Sequence, residues 1–123
     1  MPKKIVIVDD SASVADALAM ALEGNLGIQA LVAAHPQTAL KLFEAESEIS
    51  ALVTDLSLPC LDGFQLIATL RRLPSYQALP AVMITAEEDA AQRQVSAESQ
   101  PNVILCKPFS LKEVCRVVQS LLA

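Results

Sequence analysis

A chain of 123 residues with 53% apolar and 19% charged side chains has the composition of one globular domain, too short for two and too apolar for a disordered segment. The net charge is −5 and no Lys/Arg cluster exceeds a pair, which argues against direct binding to a nucleic-acid backbone. The longest unbroken apolar run, Ala17 to Leu22, falls far short of the ~20 residues of a membrane span.

Three cysteines, Cys60, Cys106 and Cys115, cannot pair completely and match no metal spacing. With no signal-peptide pattern before them they read as free thiols of a cytoplasmic protein. A chain of this length buries enough surface to fold without disulfides.

In chain order, Ile5–Val8 is the first short apolar run. Val14, Leu18 and Leu22 then follow at helical spacing, with Gly24 as a stop signal. A looser run, Ile28–Ala34, precedes a second helix marked by Ala39, Leu40 and Phe43, with Pro36 near its start. Ala51–Val53 comes next, then Leu66, Ile67, Leu70 and Leu73 in a third helix ended by Pro74. Ala81–Ile84 is the fourth run. The stretch Glu87–Ser99 is expected to be a fourth helix, acidic at its start, but Val95 is its only large apolar residue, so it is the least anchored element. Val103–Cys106 is the last run. The final helix carries a capping box at Ser110 and Glu113, and an apolar stripe through Leu111, Val114, Val117, Val118, Leu121 and Leu122.

Continuous Val/Ile-rich runs, instead of alternating ones, suit strands covered on both faces and hence a parallel sheet. Strand and helix alternate five times. Right-handed crossovers then give an α/β three-layer sandwich.

The runs end in distinctive residues: Asp9-Asp10, Asp55, Thr85 and Lys107. In an open parallel sheet such ends share one edge, where ligands bind as the strand order reverses. Three carboxylates gathered there repel one another unless a cation sits among them. Mg²⁺ suits an oxygen-rich, acidic site of this kind. Carboxylates, Mg²⁺, a lysine and a hydroxyl are the groups that handle a phosphoryl group, and one carboxylate can itself be the nucleophile.

Four segments carry a family resemblance: Ile5-Val-Ile-Val-Asp-Asp10, Val53-Thr-Asp-Leu-Ser-Leu-Pro-Cys-Leu-Asp-Gly63, Val82-Met-Ile-Thr-Ala86 and Cys106-Lys-Pro-Phe109. In this order and at these spacings the chain resembles a two-component response-regulator receiver domain, of the chemotaxis-receiver kind, over residues 1–123 as a single domain. The resemblance implies a (βα)5 flavodoxin-like fold with strand order 2-1-3-4-5. Asp55 resembles the phosphoacceptor and Asp10 a direct Mg²⁺ ligand, with Asp9 acting partly through water. Further ligands would be Asp55 itself and the backbone carbonyl of Ser57. Thr85 is similar to the family's switch hydroxyl and Lys107 to its phosphoryl-pairing lysine, with a cis Lys107–Pro108 bond. Pro59, Asp62 and Gly63 shape the loop beneath the acceptor. The implied partners are a histidine kinase or phosphotransfer protein and a downstream protein or output domain. The chain would catalyse only its own phosphorylation and dephosphorylation.

Two departures stand out. Receivers usually carry a Tyr or Phe three residues before the lysine, where this chain has Ile104, and the usual Gly-Ala turn is replaced by Ala97-Glu-Ser-Gln-Pro-Asn102. The expectation is that Thr85 still moves and the fourth helix carries the change.

Each motif alone has a plainer explanation: a solvated Asp9-Asp10 loop, an Asp62-Gly63 turn, a strand-end Thr85, a surface Lys107-Pro-Phe. His35 is expected on a surface loop, Cys60 as an exposed spectator thiol, Phe43, Phe64 and Phe109 in the core, and Tyr76 on an exposed loop. An aspartyl-phosphate phosphatase needs a second carboxyl two residues beyond the nucleophile, where Ser57 stands. A flavodoxin-like mononucleotide binder needs a Ser/Thr/Gly-rich first loop, where Asp-Asp would repel a bare phosphate. A pseudo-receiver, a protein-interaction module without phosphorylation, is the remaining alternative. The chain is either a stand-alone receiver or the receiver portion of a longer protein.

Overall fold

The computed structural model describes residues 2–88 and 90–123. Five parallel strands form one sheet: β1 (Lys4–Val8), β2 (Gln29–Ala33), β3 (Ile49–Asp55), β4 (Ala81–Thr85) and β5 (Val103–Cys106). They lie in the order β2-β1-β3-β4-β5, the flavodoxin-like arrangement expected from the motifs. Among the described residues four α-helices cover it: α1 (Ala12–Leu26), α2 (Pro36–Ala45), α3 (Gly63–Arg71) and α4 (Leu111–Leu122).

The strands are apolar throughout because both faces are buried. On β1, Val6 and Val8 join Phe43, Leu66 and Leu70 under α2 and α3. The alternate residues Ile5 and Ile7 join Leu18, Leu22, Val114 and Val118 under α1 and α4. Ile5, Val6, Ile7 and Val8 are all fully buried. Burying a Val or Ile side chain contributes roughly 1.5–3 kcal/mol, so this short run anchors both layers at once.

Several local expectations change. Gly24 does not stop α1, which runs to Leu26 and ends at Gly27 in the left-handed region (φ 64°), its N–H donating to the Glu23 carbonyl. Helix α3 ends at Arg71, before Leu73, and Pro74 opens a short 3-10 turn. The box at Ser110 forms only in its forward half: Ser110 Oγ accepts from the Glu113 N–H at 2.9 Å. The complete reciprocal box is at α3, where Asp62 accepts from Gln65 N–H and Gln65 accepts from Asp62 N–H.

Tyr76 is buried, contrary to the loop expectation. Its ring meets Phe43 edge-on at 4.9 Å between centroids, and its hydroxyl accepts the Ile49 N–H at 3.3 Å. Phe43 and Phe64 are core residues, Phe109 packs against the core, and His35 and Cys60 are exposed.

The expected helix over Glu87–Ser99 is absent among the described residues of that stretch; Asp89 lies outside them. Ala90–Gln92 and Ala97–Ser99 form separate 3-10 turns instead. The cause is visible in the side chains. Of the large apolar kind only Val95 is present, half-buried, so no stripe exists to offset helix nucleation. The segment is tied down by polar contacts. Arg71 at the end of α3 donates to the carbonyls of Leu79, Glu98 and Gln100 and to Asn102 Oδ1. Arg72 pairs with Glu98 at 2.7 Å.

Candidate functional site

The strand order places the carboxyl ends of β1 and β3 side by side, with β4 next to β3 and β5 beyond it. Asp9 follows the last residue of β1, and its backbone N–H extends the pairing to Ala33 O at 3.1 Å. Its buried carboxylate accepts the Ser11 N–H at 2.8 Å, turning the chain into α1. Asp10 faces solvent beside it. Asp55 ends β3 and is also buried. The three carboxylates converge, each offering an oxygen within 4.8 Å of the others.

Lys107, just past β5, reaches back over this cluster. Its Nζ lies 3.3 Å from Asp55 Oδ2, and its backbone N–H continues the ladder by donating to Thr85 O at 2.8 Å. The Lys107–Pro108 peptide is cis, as the resemblance implied. Ser57 is exposed, and its N–H points to Asp55 Oδ1 at 3.4 Å. Thr85 is buried at the end of β4, and its Oγ1 accepts the Glu87 N–H at 3.0 Å. Among the described residues that hydroxyl bonds neither Asp55 nor Lys107.

Gly63 sets how closely α3 approaches the acidic cluster. Its N–H donates to Leu56 O at 2.8 Å. A Cβ there would stand 2.5 Å from the Asp55 carbonyl oxygen, so only glycine lets the helix begin against this strand end. The capping box of Asp62 and Gln65 fixes that first turn.

Burial pushes the Asp9 carboxyl above the usual carboxylate range; the Ser11 N–H opposes this, and the neighbouring Asp55 charge adds to it. A single ammonium among three acidic groups leaves a net negative pocket. The residues can hold a hard cation through oxygen donors, and the donor set, all carboxylate with no nitrogen or sulfur, suits magnesium better than zinc or copper.

Asp9, Asp10, Asp55 and Lys107 are thus brought together, with Ser57 and Thr85 at the margin. Three further roles were not apparent from the sequence: Glu87 as the partner of Thr85, Asp62 as a helix cap, and Arg93 as a bridge between Glu87 and Asp62. The Asp62–Gln65 spacing carried a capping signal; Arg93 carried none, because its contacts depend on the tertiary fold.

An open α/β sheet with an acidic cluster and a lysine at its switch point defines a receiver-type domain. The family model for the response regulator receiver domain matches residues 5–119. The chain is 38% identical over 115 residues to an "Uncharacterized 14.6 kDa protein in sodA1 3'region" of Leptolyngbya boryana, covering 94% of this chain and 86% of that one. It is 33% identical over 122 residues to the alkaline phosphatase synthesis transcriptional regulatory protein PhoP of Bacillus subtilis, covering 99% of this chain and 49% of PhoP. A putative response regulator from Chloroflexus aurantiacus superposes with a TM-score of 0.87 at 33% identity, covering 99% of this chain and 98% of that one. The chain belongs to the response-regulator receiver family, whose place is two-component signalling. It spans about half the length of most of the curated relatives it matches.

Proposed function

We propose that the chain is a single, phosphorylatable cytoplasmic receiver, with Asp55 as the phosphoacceptor. The observation that carries this reading is the convergence of Asp9, Asp10 and Asp55 within 4.8 Å, with Lys107 Nζ 3.3 Å from Asp55. Carboxylates gathered from two strand ends are poor neighbours without a cation to share, since like charges at close range repel, and at Asp9 burial adds to this.

Asp9, Asp10, Asp55 and the Ser57 carbonyl would hold Mg²⁺. Bound there, the ion would neutralise charge on the transferring phosphoryl group. A carboxylate oxygen of Asp55 attacks phosphorus, and the bond from phosphorus to the donor's imidazole nitrogen, or to the oxygen of a small acyl phosphate, breaks. The bonding electron pair leaves with the donor group. Lys107 keeps its positive charge and pairs with a phosphoryl oxygen, while the Thr85 hydroxyl donates to another. None of these side chains gives up a proton, so catalysis is positioning and charge stabilisation.

The donor is a histidine kinase or phosphotransfer protein. The added charge shifts a two-state surface read by a downstream protein or an attached output domain. The net charge of −5 disfavours direct DNA contact by this domain.

Incubation with Mg²⁺ and acetyl phosphate, followed by intact-mass measurement, tests the reading. One adduct of about 80 Da, absent from Asp55→Asn, is expected. No adduct at all would make the chain a pseudo-receiver, and rapid release of many equivalents of phosphate would make it a phosphatase.

A further inference from the structure

The segment between Thr85 and β5 lacks an α-helix among its described residues; Ala90 and Val95 touch the core, and polar contacts hold the rest. At its near end the contact is Arg93. One guanidinium nitrogen lies 3.3 Å from Glu87 Oε2, and another lies 3.9 Å from Asp62 Oδ2. The guanidinium carbon stands 5.2 Å from the centre of the Phe64 ring. Asp62 and Phe64 flank Gly63 in the first turn of α3, directly beneath Asp55. Glu87 in turn donates its backbone N–H to Thr85 Oγ1 at 3.0 Å. A continuous chain of contacts therefore runs from the start of α3 through Arg93 and Glu87 to the Thr85 hydroxyl.

We infer that Arg93 is a positioning residue that restrains Thr85: by gripping Glu87 against Asp62 and Phe64, it holds the Thr85 hydroxyl in its local turn and opposes its engagement with a phosphoryl group. The inference rests on Asp55 being the phosphoacceptor. Thr85 Oγ1 accepts the Glu87 N–H, and among the described residues it bonds neither Asp55 nor Lys107, which pair with each other. For Thr85 to swing toward Asp55 the two-residue turn opens and Glu87 moves, which strains or breaks its contact with Arg93. A group that favours one of two states shifts their ratio only by its differential interaction. An exposed ion pair and an exposed cation–π contact are each modest, so together they bias the equilibrium by roughly 3–10-fold. Release of this restraint would pass the change to residues 86–88 and 90–93 and the first turn of α3. That route needs no aromatic ring at position 104, where Ile104 packs half-buried against the core.

The test compares intact wild type, Arg93→Gln, Asp62→Asn and Arg93→Lys. Asparagine at 62 can still accept the Gln65 N–H that caps α3, while the charge facing Arg93 is removed. The readouts are the initial rate of the phosphate adduct with Mg²⁺ and acetyl phosphate, and the apparent affinity for beryllium trifluoride with Mg²⁺. The expected result is a roughly 3–10-fold gain in both for Arg93→Gln and Asp62→Asn, with Arg93→Lys near wild type. Loss of a nearby positive charge would by itself slow attack on an anionic donor, and misfolding would also slow it. Unchanged or slower phosphorylation of Arg93→Gln, with wild type modified normally, overturns the restraint alone. A wild type that takes up neither phosphate nor beryllium trifluoride overturns the reading of Asp55 as well.

Discussion

Replacing Gly63 by alanine pushes a methyl group into the wall of the acidic pocket. Its Cβ would lie 2.5 Å from the Asp55 carbonyl oxygen, 2.9 Å from Met83 Cε and 3.1 Å from Leu56 Cα. Met83 can swing aside, but the other two atoms are backbone. Either β3 or the start of α3 must shift, and the Gly63 N–H to Leu56 O hydrogen bond of 2.8 Å resists the separation. Overpacking of this kind costs about 1–3 kcal/mol. Helix propensity acts in the other direction, with alanine better than glycine by up to about 1 kcal/mol. The net expectation is a loss of about 0–2 kcal/mol, from the overpacking cost less the propensity gain. For a domain of this size that lowers the melting temperature by up to roughly 8 °C. Gly24 supplies the control: it sits inside α1, exposed, and apart from the backbone of its own helix nothing lies within 4 Å of the methyl that alanine would add. Gly24→Ala should stabilise by about 0.5–1 kcal/mol. Urea unfolding measures both variants. Displacement of Asp55 should also slow phosphorylation of Gly63→Ala by roughly 10–100-fold, since small misplacements of reacting groups are costly. A Gly63→Ala protein as stable as Gly24→Ala and phosphorylated at the native rate would mean that the approach of α3 to β3 does not require glycine at position 63.

Mg²⁺ at neutral pH should raise the melting temperature, with a gain of about 2.7 kcal/mol at a hundred times the dissociation constant. Asp9→Asn should abolish most of that gain while making the metal-free protein more stable, because one of three converging carboxylates is gone; differential scanning fluorimetry with and without EDTA reads both effects. Arg71→Lys should destabilise by about 2–4 kcal/mol, since an ammonium cannot replace a fork that serves several carbonyls at once. Arg72→Gln, which loses an exposed pair, should leave the urea midpoint near its native value. Ellman's reagent should titrate Cys60 and Cys106 readily and Cys115 only in denaturant, because Cys115 is buried and its thiol is pushed up by that burial. A thiol raised in the native state stabilises the fold below the ordinary thiol range. Stability should therefore fall as pH climbs through that range, where the unfolded chain ionises Cys115 first, and Cys115→Ala should flatten this fall.

The β-strand runs and their polar ends were legible in the amino-acid order because they are local and doubly constrained. A strand buried on both faces must be apolar at every position, as Ile5–Val8 is, and the change to Asp9-Asp10, Asp55, Thr85 and Lys107 marks where the apolar runs end. Given a parallel sheet, those ends share one edge, so the acidic cluster followed from topology before any distance was known. The tertiary structure alone decided how the stretch from Glu87 to Ser99 is held. Its polar composition removed the apolar stripe a helix needs, and its anchors, the contacts of Arg71 and Arg72 with Glu98 and of Asp62 with Arg93, join residues far apart in sequence. The burial of Tyr76 depended likewise on Phe43 and the Ile49 N–H meeting it across the fold. Periodicity reports which side of an element faces the core; it carries no record of which distant polar groups an exposed segment will find.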